Sequence, residues 1–328
     1  MAKKLALFLF ISTGLSSLAF AEKQTEDPII DACIAQEVKH ADDSQSIGEI
    51  RQLCQNKEYS LFEERFVLEE SAESNPFAIL PHKPTYFLPF SYSKVNSAPY
   101  EKEIGDHELS DTEIKFQVSL KYIAAKDWLI DDLNVELALT ATSWWQAYNT
   151  DISTPFRETM YEPEIMFTYQ KPLSIFGLTA DRSYISLNHQ SNGQAGQLSR
   201  SWNRVIGGVV FNSGDFIWGV QAWWRIPEEQ KSDEFDPTGD DNPNIEDYLG
   251  HGEIIALWQV ADGHNIDMEL RNNLSSDNKG SVLLGWSFPL TNHLRGYVQY
   301  FNGYGESLIY YNHHSERFGI GVKLTDWL

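Results

Sequence analysis

Three polar side chains in this chain have types and spacing suited to nucleophilic chemistry: His189, Ser191 and Asn203. The first two lie in Ile185-Ser186-Leu187-Asn188-His189-Gln190-Ser191, the third at the head of Asn203-Arg204-Val205-Ile206-Gly207-Gly208-Val209-Val210-Phe211. In an extended strand successive side chains point to opposite faces, so Ile185, Leu187, His189 and Ser191 share a face. Asn203, Val205, Val209 and Phe211 share a face of the second segment. In both segments this is the more apolar face. The polar loop 192–201 joins the segments and makes them neighbours. A His and a Ser on an apolar face cost desolvation energy unless they bond to each other. Together they are the parts of a nucleophilic hydrolase, with Ser191 as nucleophile and His189 as general base. Asn203 would hold the imidazole tautomer, because that role only requires accepting a proton from the ring nitrogen. Gly193, just after the nucleophile, would let a backbone N–H approach an oxyanion. Taken alone, His-x-Ser is also what a polar rim at a strand–loop boundary looks like.

The elements that must carry these residues alternate with period two. Ile114-Lys115-Phe116-Gln117-Val118-Ser119-Leu120-Lys121-Tyr122 does so strictly, and so do 266–271, 294–300 and 318–324. Similar stretches fall near 83–94, 134–146, 160–170, 182–191, 202–212, 215–226, 249–260 and 280–288. The total is about twelve strands of roughly nine to twelve residues each, which predicts an all-β transmembrane antiparallel barrel. Tight connections such as 212–215 and 289–292 alternate with long polar ones such as 227–248 and 303–316, as short periplasmic turns and longer outer loops would. A secreted β-sandwich also alternates, but this polar face carries many charges and amides. Aromatic pairs at strand ends (Trp144-Trp145, Trp223-Trp224, Tyr300-Phe301, and Trp327) read as interfacial girdles. A barrel of this size is too narrow for a wide pore when long charged side chains point inward.

Composition agrees. With 47 Asp+Glu against 25 Lys+Arg, the net charge of -22 leaves no basic face for nucleic acid. Aromatic content of 13% excludes a mostly disordered chain, and 2 Cys exclude a disulfide-dense or cysteine-rich zinc module. Met1-Ala2-Lys3-Lys4, an apolar run to Leu18 and Ala19-Phe20-Ala21 form a secretory signal peptide, residues 1–21, with a single anchoring helix as the alternative. Residues 22–75 read as a short periplasmic segment outside the membrane, with short helices at 29–38 and 47–53. They are either a helical hairpin closed by a Cys33–Cys54 disulfide or a flexible tail with two incidental thiols. Residues 76–328 form the barrel.

Asn188-His189-Gln190-Ser191-Asn192-Gly193, five variable residues, and Ser199-Arg200-Ser201-Trp202-Asn203-Arg204 together resemble the outer-membrane phospholipase A family. Ser143-Trp144-Trp145-Gln146, Pro155-Phe156-Arg157-Glu158-Thr159, Tyr161-Glu162-Pro163, Asp240-Asp241-Asn242-Pro243 and 303–309 extend the resemblance over residues 75–328. It implies a twelve-stranded barrel with a Ser191-His189-Asn203 triad on its outer wall, in the outer membrane and facing the outer leaflet. It also implies Ca2+ bound by the Ser199 hydroxyl, the Gln194 backbone carbonyl and the partner subunit's Ser153. Neutral oxygens of this kind suit a hard ion held loosely. The activity implied is hydrolysis of phospholipids and lysophospholipids at A1 and A2 positions by a homodimer whose monomer is inactive. Members of that family carry an arginine where Gln194 stands and an acidic residue where Gly196 stands. They carry a polar residue, which would hold two barrels together, where Ala141 stands, here with Thr140 and Thr142 beside it. The competing readings are a transport or structural barrel without chemistry, and a barrel protease using the acidic loop of Asp240, Asp241 and Asp247.

Overall fold

The computed structural model describes residues 28–325, except 43–44, 58–60, 73–74, 76, 234–235, 237–238 and 292–293. The expected leader, residues 1–21, and Trp327 lie outside the described residues. The chain divides into two compact units, Met1–Gln55 and Asn56–Leu328. In the first, helices α1 (Pro28–His40) and α2 (Ile47–Asn56) are joined by a Cys33–Cys54 disulfide with the Cα atoms 5.9 Å apart.

The second unit begins with helix α3 (Leu61–Ala72) and continues into twelve antiparallel strands. These are β1 (Thr85–Ser93), β2 (Thr112–Ala125), β3 (Leu133–Trp145), β4 (Phe156–Tyr169), β5 (Arg182–Ser191) and β6 (Ser201–Asn212). They are followed by β7 (Phe216–Arg225), β8 (Gly252–Ala261), β9 (His264–Asn272), β10 (Gly280–Pro289), β11 (Arg295–Gly303) and β12 (Ser315–Thr325). Each strand pairs with its sequence neighbour, and β12 pairs with β1, so the sheet closes on itself as a barrel. Closure satisfies every ladder without leaving an edge, which a spanning sheet requires.

The alternation resolves as the inverse of a soluble sandwich. In β2, Ser119 and Lys121 are 0% and 4% exposed, whereas Val118 and Leu120 are 44% and 42% exposed. Polar side chains therefore fill the lumen and apolar ones form the wall. Inside, Arg157 donates to both Glu113 carboxylate oxygens at 2.7 and 3.1 Å, and Arg317 reaches the same carboxylate at 2.9 Å. Further round, Lys323 and Tyr297 hold Asp267 at 2.6 and 2.8 Å. Buried charges persist only when paired in this way. At one end of the lumen, Glu69 of α3 binds Lys121 at 3.2 Å and Arg182 at 3.4 Å. This contact ties α3 to the barrel strands within the second unit.

Three local features differ from the sequence expectation. Strand β4 starts at Phe156, not near 160, and a β-bulge shifts its register between Trp144 and Trp145. Arg157 and Glu158 are consequently both buried, which breaks the period-two pattern there. The aromatic doublets do not form girdles as pairs, because neighbours on a strand face opposite ways. Trp144, Trp223 and Phe301 are buried, and of the three doublets only Trp224 is strongly exposed. One connection at the turn end, 170–181, is longer than expected and carries a small hairpin, Leu173–Ile175 with Leu178–Ala180.

At the opposite end the long connections pack together. Trp202, Ile206, Trp223, Ile245, Leu249, Leu308 and Tyr311 form one apolar cluster. Tyr100, Leu109, Leu198, Ile309 and Tyr310 form another, which anchors loop 192–200 through Leu198.

Candidate active site

Strands β5 and β6 pair with His189 opposite Asn203 and Ser191 opposite Ser201. The lumen face fixes which residues look outward. Ser186 donates to Glu164 at 3.1 Å, Asn188 donates to Glu162 at 2.9 Å, and Arg204 donates to Asn188 at 2.7 Å. With the even-numbered residues of β5 committed inward, Ile185 and Leu187 are exposed on the wall. His189 and Ser191 follow them on that face, each half-buried.

Across the pair, His189 Nδ1 and Asn203 Oδ1 are 2.8 Å apart. Because the amide oxygen can only accept, Nδ1 carries the proton and Nε2 is left as the basic nitrogen. Ser191 lies two residues along the same strand face, a Cα spacing of roughly 6.5 Å from the strand rise. The structure thus brings His189 and Asn203 into contact and sets Ser191 beside them at the start of loop 192–200.

Asn192 shapes that loop. Its side-chain amide donates to the Leu198 carbonyl at 2.7 Å. Its Oδ1 accepts from the backbone N–H groups of Gln194 at 3.2 Å and Arg200 at 3.1 Å. Gly193 follows with φ +64°, a left-handed conformation that favours glycine. A Cβ there would also sit 3.5 Å from the Tyr161 ring, which lies on the neighbouring strand β4 opposite Ser191.

Of the expected calcium ligands, Gln194 and Ser199 belong to this loop. Ser199 follows a 3-10 turn, Gly196–Leu198, and its hydroxyl donates to Asp241 Oδ2 at 2.9 Å. The Ser201 hydroxyl reaches the same oxygen at 3.1 Å, and Lys231 pairs with Asp241 Oδ1. Ser153 sits apart, in loop 146–155, with φ +59°. Among the described residues no three His, Cys, Asp or Glu side chains come together as a metal cage. The donors here are hydroxyl, carbonyl and carboxylate oxygens, the set a hard divalent cation takes.

Sequence reasoning missed two carboxylates. Asp241 was visible as part of Asp240-Asp241-Asn242-Pro243 and of the acidic loop, but not as the partner of Ser199. Glu228, which accepts from Asn203 Nδ2 at 2.5 Å, carried no signal at all. The acidic loop is not a water-activating cluster: Asp240 binds Arg225 at 2.5 Å, and Asp241 is held as above. On the wall at position 141 the residue is alanine, while Thr140 and Thr142 point inward to Ser119 at 2.7 Å and Gln117 at 2.9 Å. Neither threonine therefore offers an outer hydroxyl in its place. A cavity of about 140 Å³ lies in the lumen between Lys83, Glu162, Arg204 and Glu306. The triad residues do not line it.

The sequence profile of the phospholipase A1 family matches residues 62–324. Phospholipase A1 of Proteus vulgaris is 33% identical over 252 residues, 77% of this chain and 83% of that protein. Phospholipase A1 of Escherichia coli K12 is 31% identical over the same shares. The structure of outer membrane phospholipase A from Escherichia coli superposes with a TM-score of 0.70 at 30% identity, covering 77% of this chain and 93% of that chain. An active-site mutant of that protein, with an asparagine replaced by alanine, matches equally. The outer membrane phospholipase of Salmonella typhi, a dimer with bound calcium, also gives a TM-score of 0.70 at 30% identity, covering 77% of this chain and 94% of that chain. The chain belongs to the phospholipase A1 family, as an outer-membrane β-barrel that hydrolyses carboxylic esters.

Proposed function

We propose that this barrel is a calcium-dependent phospholipase with a Ser191-His189-Asn203 triad on its lipid-facing wall, acting on phospholipids and lysophospholipids at A1 and A2 positions. The observation that carries the reading is the 2.8 Å contact between His189 Nδ1 and Asn203 Oδ1 on the same wall as Ile185 and Leu187. A lipid ester at headgroup depth in the outer leaflet meets this wall without entering the lumen. The Escherichia coli active-site mutant lacking an asparagine supports an amide in the third position.

In the reaction, Ser191 Oγ attacks the ester carbonyl and passes its proton to His189 Nε2. Asn203 keeps the proton on Nδ1 and accepts from it as the imidazolium forms. The Gly193 N–H would donate to the developing oxyanion. His189 then returns its proton to the leaving alcohol, and water repeats the sequence on the acyl-serine. The Ser199 hydroxyl, the Gln194 carbonyl and the partner subunit's Ser153 would hold the calcium ion, which when bound adds positive charge beside the oxyanion. The Salmonella typhi dimer with bound calcium supports both the ion and a homodimeric active form. A monomer lacking the partner's serine is then inactive.

The test is fatty-acid release from phospholipid mixed micelles, with calcium and with excess chelator, for the wild type and Ser191→Ala. The wild type is active with calcium, inactive in chelator and restored by added calcium, and Ser191→Ala is inactive throughout. More than a few per cent activity in Ser191→Ala removes the triad, and full activity in chelator removes the ion.

A further inference from the structure

Asn203 uses both ends of its amide. Oδ1 meets His189, and Nδ2 donates to Glu228 Oε1 at 2.5 Å. Glu228 comes from the long connection after β7. The Ile226 N–H donates to the Asn203 carbonyl at 2.8 Å, so the chain leaves β7 directly beside Asn203. Pro227 follows, with φ fixed near the value its ring allows, and Glu228 is next. The Glu228 side chain is half-buried. Its second oxygen, Oε2, is buried without a hydrogen-bond partner, and among the described residues no cation pairs with it. Among the described residues its hydrogen-bond partner is thus the Asn203 amide.

We infer that Glu228 is a positioning residue for the triad, acting through Asn203; the inference rests on the proposed triad. Two physical arguments support it. The first concerns orientation. The two ends of an asparagine amide have nearly the same shape, and a flipped Asn203 would present N–H groups to His189 Nδ1. That would favour the tautomer with Nδ1 bare and the proton on Nε2, leaving no base for Ser191. An ionised carboxylate accepts but cannot donate, so Glu228 binds only Nδ2. It thereby sets Oδ1 toward His189, the proton on Nδ1 and the lone pair on Nε2.

The second concerns charge. A hydrolase whose third member is a carboxylate sets a negative charge against the imidazolium formed in the transition state. An amide alone is neutral. Here the charge stands one hydrogen bond further out, and the short contact polarises the amide toward the ring. Chains of hydrogen bonds strengthen one another in this way where the local dielectric is low. The hydrogen-bonded relay runs His189, Asn203, Glu228, with the charge at its far end and Ser191 two residues along the strand from His189.

The experiment uses the full-length protein in detergent micelles at saturating calcium, so that a change in ion affinity is not read as a change in catalysis. Folding of each variant is checked by the mobility difference between heated and unheated samples in gel electrophoresis. Glu228→Ala lowers kcat between roughly tenfold and a hundredfold with little change in KM, the usual effect of losing an outer partner of a catalytic ligand. Glu228→Gln, which can still accept from Nδ2, falls in between. The decisive variants exchange the charge. Asn203→Asp alone sets two carboxylates against each other and is strongly impaired. Adding Glu228→Gln to Asn203→Asp puts the single charge next to His189 and recovers at least tenfold in kcat. A loop residue with a purely structural role would not give that recovery. Wild-type kcat in Glu228→Ala, or a double variant no better than Asn203→Asp, overturns the inference. Activity surviving in Ser191→Ala would instead overturn the triad on which it rests.

Discussion

Asn188 and Arg204 face each other across β5 and β6 inside the barrel, with Arg204 Nη2 donating to Asn188 Oδ1 at 2.7 Å. A strand register that sets this pair inside must set the next pair, His189 and Asn203, opposite each other outside. The lumen network is therefore the template of the outer-wall site. A slip by one residue would turn His189 inward.

The three triad positions should differ in cost. Ser191→Ala and His189→Ala should each lower kcat to background, by roughly 10⁴-fold, while the barrel still folds. Asn203→Ala should retain more activity, since an orienting amide contributes less than a nucleophile or base. Fatty-acid release measured on the three variants at saturating calcium ranks them. A loss in Asn203→Ala as complete as in Ser191→Ala would mean that the amide does more than orient the ring.

Gly193 should tolerate little. Its φ of +64° costs a residue with a Cβ roughly 1–2 kcal/mol, and more when the side chain is β-branched. Gly193→Ala should reduce kcat, and Gly193→Val should reduce it further, because restoring an ordinary φ would turn the backbone N–H away from the oxyanion. Equal rates for the two variants and the wild type would show that this N–H is not used.

Stability of the outer mouth should depend on pH through Glu306, in the connection between β11 and β12. Burial alone would raise its carboxyl. Arg317, which donates to it, and Lys115 at 3.7 Å outweigh burial and hold it below its ordinary value of 4.5. A depressed folded value means that the unfolded chain takes up the proton first as pH falls. The stabilisation is complete above the unfolded value and is lost as pH drops through the folded one. Urea unfolding of the wild type and Glu306→Gln should show the wild type more stable at neutral pH and the gap closing in acid. A gap that does not change with pH would show that the charge contributes nothing.

Completion of the site in trans can be tested by mixing. Loops 146–155 and 192–200 leave the same end of the barrel, since two strands separate their origins. A two-fold dimer along the outer wall would bring the partner subunit's Ser153 to the triad loop, and such an interface is self-complementary. Ser191→Ala subunits mixed with subunits lacking loop 147–154, each inactive alone, should regain activity in heterodimers. No recovery despite demonstrated dimerisation would mean that the calcium site is built within one chain.

Much of this was legible because a barrel wall has one rule. Alternation set the strands, and the same alternation placed His189, Ser191 and Asn203 on one face before any geometry was known. What escaped the sequence obeys other rules. The bulge opposite Trp144 and Trp145 puts Arg157 and Glu158 on the same side, which no period-two reading allows. Helix α3 places Phe66, Val67 and Leu68 in succession, around the axis instead of along one stripe. Glu228 and Asp241 come from a long connection without periodicity. Their contacts to Asn203 and Ser199 depend on how that connection folds back, and spacing carries no trace of it.

The pairing of Thr85 with Thr325 puts the first and last strand residues side by side at the turn end of the barrel. The seam is an antiparallel strand pair, with two register shifts along it, and the order of strands along the chain is separable from their order around the ring. A short tether between β12 and β1, with the chain reopened in the Ser213-Gly214 turn, would give a circular permutant that starts at β7 and ends at β6. The same ring of contacts would then be built from a different first strand, with the hydrolytic residues moved to the end of the chain.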